Sequence, residues 1–278
     1  MRINNNITAI NSHRQYGINN NNIGKNVEKL SSGYRVNRAA DDAAGLAISE
    51  KMRSQIRGLN MASKNSQDAV SLVQIAEGGM QTIQDILQRM RELAVQAASD
   101  TNQDKDRDAL QLEIDQLIEE IDQIADTTEF NEMKLLNGST PFGDTDGGII
   151  QAGANAKQTM SISIGSMKST NIGGSGVDTV SISTNLSATK ALGMIASALT
   201  SVSMARAKLG AYQNRLEYKI KNLDNAAENM SAAESRIRDA DMAKMMTEFT
   251  RNNILFQAST AMLAQANALP QGVLQLLG

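Results

Sequence analysis

Few residues of this chain have the types and spacing that catalysis or metal binding requires. His13 is the single histidine among 278 residues, and cysteine is absent, which excludes disulfides, thiolate metal sites and a cysteine nucleophile. Asp41 and Asp42 are neighbouring carboxylates without a pocket pattern around them, and we expect them to cap the helix that follows. Asp144–Gly147 resembles the start of a calcium loop but lacks the required Glu, and Gly173–Gly176 lacks the Lys of a phosphate loop. The sequence therefore predicts no catalytic, cofactor or metal site, and no enzyme.

The regular spacing belongs instead to small and apolar residues. Between Ile48 and Ala97 they recur in alternating steps of four and three, broken only by Gln55 and Ser66. Seven heptads in register predict one long helix packed against other helices. At 1.5 Å per residue such a helix is about 75 Å long, which favours a rod over a compact globule. The heptad positions are Ile48, Met52, Gln55, Leu59, Ala62, Ser66, Ala69, Val73, Ala76, Met80, Ile83, Leu87, Met90, Ala94 and Ala97.

Two further helices are predicted to complete this rod. The polar run Asp100–Asp108 reads as a turn followed by an acidic first helical turn. Beyond it the 4-3 spacing resumes from Leu110 to Ile124, which indicates an antiparallel hairpin with the long helix. Near the C-terminal side, residues from Ile195 to Ile237 follow one heptad frame. We expect Ser231–Glu234, which matches a capping box, to lie inside this helix and not to break it.

The middle of the chain changes character. Gly, Ser and Thr dominate residues 138–190, and apolar residues alternate with polar ones in Met160–Ile164 and Val180–Ile182. Alternation of this kind predicts short strands in one or two hairpins. The segment has too little apolar bulk for an independent domain.

Weaker apolar stripes run along the two ends of the chain. The Asn-rich N-terminal segment is a poor helix former, and the C-terminal stripe is thin. We therefore expect roughly 40 residues at each end to be poorly ordered in a single copy and to fold when they are buried against neighbouring copies. The alternative is that both ends are ordinary surface helices that dock on their own rod. For the long helices to pack, the chain must fold back on itself, which brings its ends together. The stripe residues are Ile3, Ile7, Ile10, Ile23, Val27 and Leu30 at the N-terminal side, and Ile254, Leu255, Ala258, Ala261, Met262 and Leu269 at the C-terminal side.

The predicted fold class is mainly α: a long antiparallel, coiled-coil-like helical rod with a small β-hairpin insert, and with N- and C-terminal helices paired at one end. The predicted domains are an inner helical domain from 1–42 and 238–278, rod helices at 43–137 and 191–237, and an insert at 138–190. A net charge of −3 provides no basic field for nucleic acid. The N-terminus lacks the apolar core of a secretory signal, and no run of 18 apolar residues predicts a membrane span.

Three stretches of the sequence resemble the bacterial flagellins. Leu30–Ile48 is similar to the family's N-terminal signature, Asn253–Leu277 is similar to its C-terminal end, and Gln88–Gln96 is similar to a stretch of its long helix. The resemblance covers about 1–137 and 190–278. Only some 50 residues join the two helical arms, so the large outer variable domains of longer flagellins are missing.

The resemblance implies a secreted structural subunit that polymerises with itself into the extracellular flagellar filament for swimming motility. It implies export through the flagellum's own channel, with an export chaperone on the C-terminal helix, and contact with the cap protein and the hook–filament junction protein. It also implies recognition by the host receptor Toll-like receptor 5 through Arg89, Leu93 and Glu113. In this motif Met90 replaces the usual Val, at a heptad position that we expect to face inward.

Two alternatives remain at this point. The chain could be a hook–filament junction protein of the same superfamily, which forms a short adaptor layer and no long polymer. Some flagellins carry a protease in the middle region, but the middle of this chain has no His and no His-Glu-x-x-His motif. The filament subunit is therefore the leading interpretation.

Overall fold

The chain is described by a computed structural model that covers residues 6–139, 141–143, 147–174 and 176–277, with side-chain exposure up to 269. The helices are α1 Ile7–Ser32, α2 Ala43–Ala97, α3 Asp104–Thr127, α4 Asn185–Arg238 and α5 Met242–Leu277. The strands are β1 Glu129–Phe130, β2 Met133–Lys134, β3 Gly148–Gln151 and β4 Thr159–Ile162. The predicted fold class, mainly α with a small β-hairpin and paired terminal helices, is confirmed.

The chain divides into two compact units. The terminal unit comprises Met1–Ser54 and Glu228–Gly278, and the central unit comprises Gln55–Ala227. The predicted domain limits at 42/43 and 237/238 coincide with the start of α2 and lie next to the end of α4. The limits of the compact units fall inside these two helices instead.

The central unit is built around the heptad stripe of α2. Every position of this stripe from Ala62 to Ala97 is buried, including Ser66, whose hydroxyl donates to the Ala62 carbonyl. Burying this hydroxyl costs little because it is hydrogen-bonded within the helix. The earlier positions Ile48, Met52, Gln55 and Leu59 are not buried. The stripe therefore contributes buried side chains to the core of the central unit only from Ala62 onward.

Both α3 and α4 run antiparallel to α2 within the central unit. Arg107 near the start of α3 donates to the Ala97 carbonyl, and Asn185 at the start of α4 donates to the Ala98 carbonyl. The same alignment holds further along, where Arg206 donates to Gln84. The core positions contributed by these helices include Ile114, Ile121, Ile195, Val202, Leu209 and Leu216.

The middle segment confirms one predicted strand and corrects another. β4 at Thr159–Ile162 pairs antiparallel with β3, from Gly148↔Ile162 to Gln151↔Thr159. Val180–Ile182 forms no strand, so that prediction was wrong. The Gln111 side chain takes the place of a partner strand, because it donates to the Val180 carbonyl and accepts from the Ile182 amide. These bonds satisfy backbone groups that would otherwise need a ladder.

Helix ends in the terminal unit follow from local chemistry. The Asn6 side chain accepts from the Ala9 amide and caps α1. Gly33 ends α1 with φ 74°, a left-handed conformation that glycine adopts without strain. Ser231–Glu234 lies within α4 without a break, as predicted. No helix among the described residues has the length and apolarity needed to cross a membrane.

Candidate functional site

The seam between α1 and α5 is lined by amides. Asn19, Asn26 and Asn252 are buried in the terminal unit. Asn19 Nδ2 donates to Ser259 Oγ at 2.7 Å, and Asn26 Nδ2 is buried without a hydrogen-bond partner among the described residues. An unsatisfied buried donor costs about 1–3 kcal/mol. A seam of this composition adds little hydrophobic stabilisation to the pair.

The two helices also meet through an aromatic contact and a terminal hydrogen bond. The rings of Tyr16 and Phe256 lie with their centroids 4.9 Å apart. Asn6 Nδ2 donates to the Ala266 carbonyl at 2.7 Å. Asn6 thus meets residue 266 while Tyr16 meets residue 256, which fixes the pair as antiparallel.

The apolar stripes face away from this seam. On α1, Ile10 is 62% exposed, and on α5, Met262 is 63% exposed. An ordinary amphipathic pair buries such residues. This pair leaves them exposed, while the terminal unit buries Asn19, Asn26 and Asn252 together with Met245 and Ala266. The predicted stripe residues Ile7, Ile10, Val27, Ile254, Leu255, Ala258, Ala261, Met262 and Leu269 are exposed, Ile23 and Leu30 are half-buried, and Ile3 lies outside the described residues.

A shallow cleft interrupts the exposed face of α5. It has a volume of about 450 Å³ and is lined by Thr247, Thr250, Arg251, Ile254 and Leu255. All five residues come from one helix, and three of them are exposed apolar or positively charged side chains. Such a cleft on the apolar side of a helix can accept an apolar side chain from another molecule.

Within the terminal unit, the segments that connect α1 to α2 and α4 to α5 meet each other and nearby residues of α2 and α4. We call this region the joint and define it by Tyr34, Arg35, Glu50, Arg238 and Ala240. The Arg35 amide donates to the Arg238 carbonyl, and the Ala240 amide donates to the Gly33 carbonyl. The Arg238 guanidinium lies 4.7 Å from the centre of the Tyr34 ring and donates to Glu50 Oε1 at 2.5 Å. That hydrogen bond lowers the pKa of Glu50.

Two more carboxylates hold this region. Hydrogen bonds from Asn37 and then Arg38 lower the pKa of Glu28. Backbone amides, foremost that of Arg38, lower the pKa of Asp41. Asp42 accepts from the Gly45 amide and caps α2 as predicted. Asp41 instead caps the preceding turn, because its Oδ2 accepts from the Asn37 and Arg38 amides.

The residues assigned to receptor contact separate into surface and core. Arg89 Nη2 lies 2.8 Å from Glu113 Oε1, and Arg89 Nη1 lies 3.2 Å from Glu92 Oε2. The hydrogen bond to Glu113, and next that to Glu92, raise the pKa of Arg89. Leu93, which the resemblance assigns to the same contact, is only 1% exposed. α2 is covered on more than one side, and Leu93 joins the inward-facing Met90 in the core.

Among the described residues, the other side chains that could take part in catalysis or metal binding form no common site. His13 is exposed on α1, and residues 144–146 of the calcium-like stretch lie outside the described part of the chain. Among the residues that the structure describes, no group of three or more His, Asp or Glu could hold a metal ion. Sequence reasoning missed the buried amides of the seam. The available signal was that Asn19 and Asn26 lie seven residues apart, on one face of α1.

Comparison with known proteins gives a consistent result. The family of the bacterial flagellin N-terminal helical region matches residues 3–140, and that of the C-terminal helical region matches residues 192–277. A flagellin from Halalkalibacterium halodurans is 55% identical over 281 residues, and one from Bacillus subtilis is 52% identical over 304 residues. In each case all of both chains is covered.

Among solved structures, a flagellar hook-associated protein from Vibrio parahaemolyticus has a similar fold. The TM-score is 0.60 at 14% identity, over 72% of this chain and all of the other. At that identity the similarity concerns the fold alone.

Proposed function

The chain belongs to the bacterial flagellin family, and from that premise we propose that the exposed stripes of α1 and α5 are the surfaces through which it polymerises. The protein is a structural subunit of the extracellular flagellar filament. The observation that carries the proposal is that the terminal pair buries Asn19 and Asn252 but leaves Ile10, Ile254 and Met262 exposed.

The energetic argument rests on apolar area. Burying an isoleucine, leucine or methionine side chain contributes about 1.5–3 kcal/mol. A single copy leaves most of its stripe residues in water, so it gains this free energy only when neighbours cover them. Repeated along a polymer, such contacts add to a stable assembly although each is weak. Contacts between different surfaces of identical copies generate a ring when the rotation between copies closes and a helical fibre when it does not.

A charge placed in the α5 stripe tests this proposal. Ile254→Asp removes an exposed apolar side chain and puts a carboxylate where a neighbour is to pack. We expect the critical concentration for elongation from wild-type seeds to rise about tenfold or more, as measured by sedimentation and electron microscopy. Circular dichroism of the unpolymerised variant should match the wild type, because Ile254 is exposed in a single copy.

The matched control is Asn253→Asp, an isosteric change at the neighbouring exposed position of α5. It introduces the same charge outside the stripe and should elongate far better than Ile254→Asp. Wild-type elongation by both Ile254→Asp and Met262→Asp would contradict the proposal.

Export and assembly partners form part of the same proposal. A single subunit exposes the apolar face of α5. Apolar helix faces of this kind bind in hydrophobic grooves of partner proteins, so an export chaperone can bind α5 before assembly. Export through the flagellar channel, and contacts with the cap protein and the hook–filament junction protein, follow from family membership. The alternative of a junction protein is not favoured, because relatives at 52–55% identity over the full chain are flagellins.

Recognition by Toll-like receptor 5 is proposed at the Arg89–Glu113 pair. The guanidinium and carboxylate are exposed and preorganised by their mutual hydrogen bonds, and arginine is frequent among residues that dominate binding energy. Leu93 lies beneath them and supports their helix without contacting a partner directly.

Reversal of the charge at Arg89 tests receptor recognition. Arg89→Glu should weaken binding to the soluble receptor ectodomain at least about tenfold in a surface-plasmon experiment. The control is Arg57→Glu, which makes the same change at an exposed position of the same helix. Equal affinity of Arg89→Glu and wild type would remove Arg89 from the contact.

A further inference from the structure

A row of basic residues follows one side of α4 in the central unit. Lys208, Arg215 and Lys219 are separated by seven and four residues, a spacing that puts them on one side of a helix. Lys208 and Arg215 are exposed, and Lys219 is half-buried. Within the described ranges, none of the three forms an ion pair. Lys208 Nζ donates to Ser163 Oγ at 2.9 Å and lies 5.8 Å from the centre of the Tyr212 ring.

This row borders a groove between α4 and the β4 strand with the residues that follow it. The groove contains two clefts of about 270 and 340 Å³. Met160, Ile164 and Met167 contribute apolar surface to the clefts, while Met204 and Tyr218 stand 66% and 73% exposed beside them. The groove thus combines an apolar floor with a positively charged border, and none of the residues that the structure describes fills its two clefts.

A complementary row follows α3. Asp108, Asp115 and Glu119 are exposed and have the same separations of seven and four residues. None of them forms an ion pair with a described residue; Asp115 accepts from Gln111, and Glu119 accepts from Gln116. Leu112, between the first two carboxylates, is 69% exposed. The face therefore presents negative charge around one apolar side chain.

The two rows also point the same way along the central unit. α3 and α4 both begin beside the end of α2, where Arg107 and Asn185 bind the carbonyls of Ala97 and Ala98. Both then run back along α2, so they are parallel to each other. Seven and four residues correspond to about 10.5 and 6 Å along a helix. In a helical polymer all copies share one axial direction, so α3 of one copy and α4 of its neighbour can align in register.

We propose that α3 of one copy docks in the α4 groove of a second copy, with Asp108, Asp115 and Glu119 facing Lys208, Arg215 and Lys219, respectively. The proposal rests on the proposed function, since it assigns a lateral contact between filament subunits. Charge complementarity and equal spacing identify a second copy of this chain as the occupant. The contact joins two different surfaces, so it propagates along a polymer and does not close into a dimer.

A charge-swap experiment tests the contact. Arg215→Glu and Asp115→Lys each place like charges opposite each other, and each should raise the critical concentration for seeded elongation about tenfold. An equimolar mixture of the two variants should elongate nearly as well as wild type. In an alternating arrangement, every Lys at position 115 meets a Glu at position 215, and every Asp meets an Arg. The double variant should recover for the same reason.

The controls are Lys221→Glu on α4 and Asp85→Lys on α2, which make the same charge changes at exposed positions outside both rows. Both should elongate like wild type. In about 1 M salt, where the screening length is about 3 Å, the defects of the row variants should shrink.

The possible outcomes are distinguishable. If wild type fails to elongate from seeds, the proposed function itself fails. If wild type elongates and either single row variant does so equally well, the α3–α4 contact is wrong while the proposed function stands. Loss in both variants without recovery in the mixture would also overturn the pairing, because each row would then bind a different surface.

Discussion

Arg107 shows how one buried charge can organise a chain reversal. Its guanidinium donates through Nε to the Ala97 carbonyl and through Nη2 to the Ser99 carbonyl, at 3.0 and 3.1 Å. Its Nη1 pairs with Asp104 at 3.0 Å. The last carbonyls of a helix lack partners within it and carry partial negative charge. Arg107 therefore satisfies the end of α2 from the first turn of α3.

Replacing this residue should be costly. Arg107→Met keeps most of the apolar stem but leaves the two carbonyls without their donor, so we expect a loss of about 1–3 kcal/mol in the free energy of unfolding. Urea unfolding followed by circular dichroism measures it. Arg91→Met, at an exposed position of α2, should change the same free energy by less than about 0.5 kcal/mol. Equal midpoints for the two variants would show that the Arg107 bonds are not needed.

Single side chains also set the limit of sequence-based prediction. The alternation in Val180–Ile182 predicts a strand, but the sequence gives no hint that Gln111, some 70 residues away, binds the backbone there. The burial of Leu93 is another such case. The heptad frame identifies Met90 and Ala94 as inward-facing, yet only the packing of further helices on α2 determines that Leu93 is also covered.

At the scale of elements, the long helices were predictable because their periodicity is strong. The start of α2 follows Asp42, as the capping argument expects, and α3 begins with acidic residues in its first turn. The seam of the terminal pair was not predictable from the same periodicity. A heptad interpretation places apolar residues inside, whereas the terminal unit buries Asn19 and Asn252, and Asn19 bonds to Ser259 between α1 and α5.

The stability of the joint in the terminal unit should depend on pH in the acidic range. The pKa values of Glu28, Asp41 and Glu50 are lowered in the folded chain. A carboxyl with a lowered pKa stabilises the fold above its unfolded pKa, and this stabilisation is lost as the pH falls through the folded value. We therefore expect the stability of the joint to be constant above about pH 5 and to fall below about pH 4, near the ordinary range of carboxyl pKa values.

Hydrogen exchange of the Arg35 and Ala240 amides measures this effect, because both amides bond across the joint. Their protection, corrected for the intrinsic exchange rate, should fall between pH 5 and pH 3. In Glu50→Gln the same protection should be lower at pH 7 and should depend less on pH. Unchanged protection in wild type at pH 3 would show that these carboxylates do not hold the joint.

At the scale of the whole molecule, burial of the apolar stripes differs between the two units. In the central unit the stripe of α2 is buried from Ala62 to Ala97, and α4 buries Ile195, Val202, Leu209, Leu216 and Leu223. In the terminal unit, apolar residues such as Ile10, Ile254 and Met262 stay exposed. The sequence marks the stripes at the two ends as weaker than those of the long helices. Which of them a single copy buries depends on tertiary partners, and periodicity alone does not contain that information.

The amide-lined seam has a consequence for how subunits withstand acid. The hydrogen bond from Asn19 to Ser259 and the ring of Phe256, which help to hold α1 to α5, involve no ionisable group. Acidification that detaches Arg238 from Glu50 therefore leaves this pairing untouched. When acid dissociates the filament, the released subunits should keep α1 paired with α5. After neutralisation, only the joint has to form again.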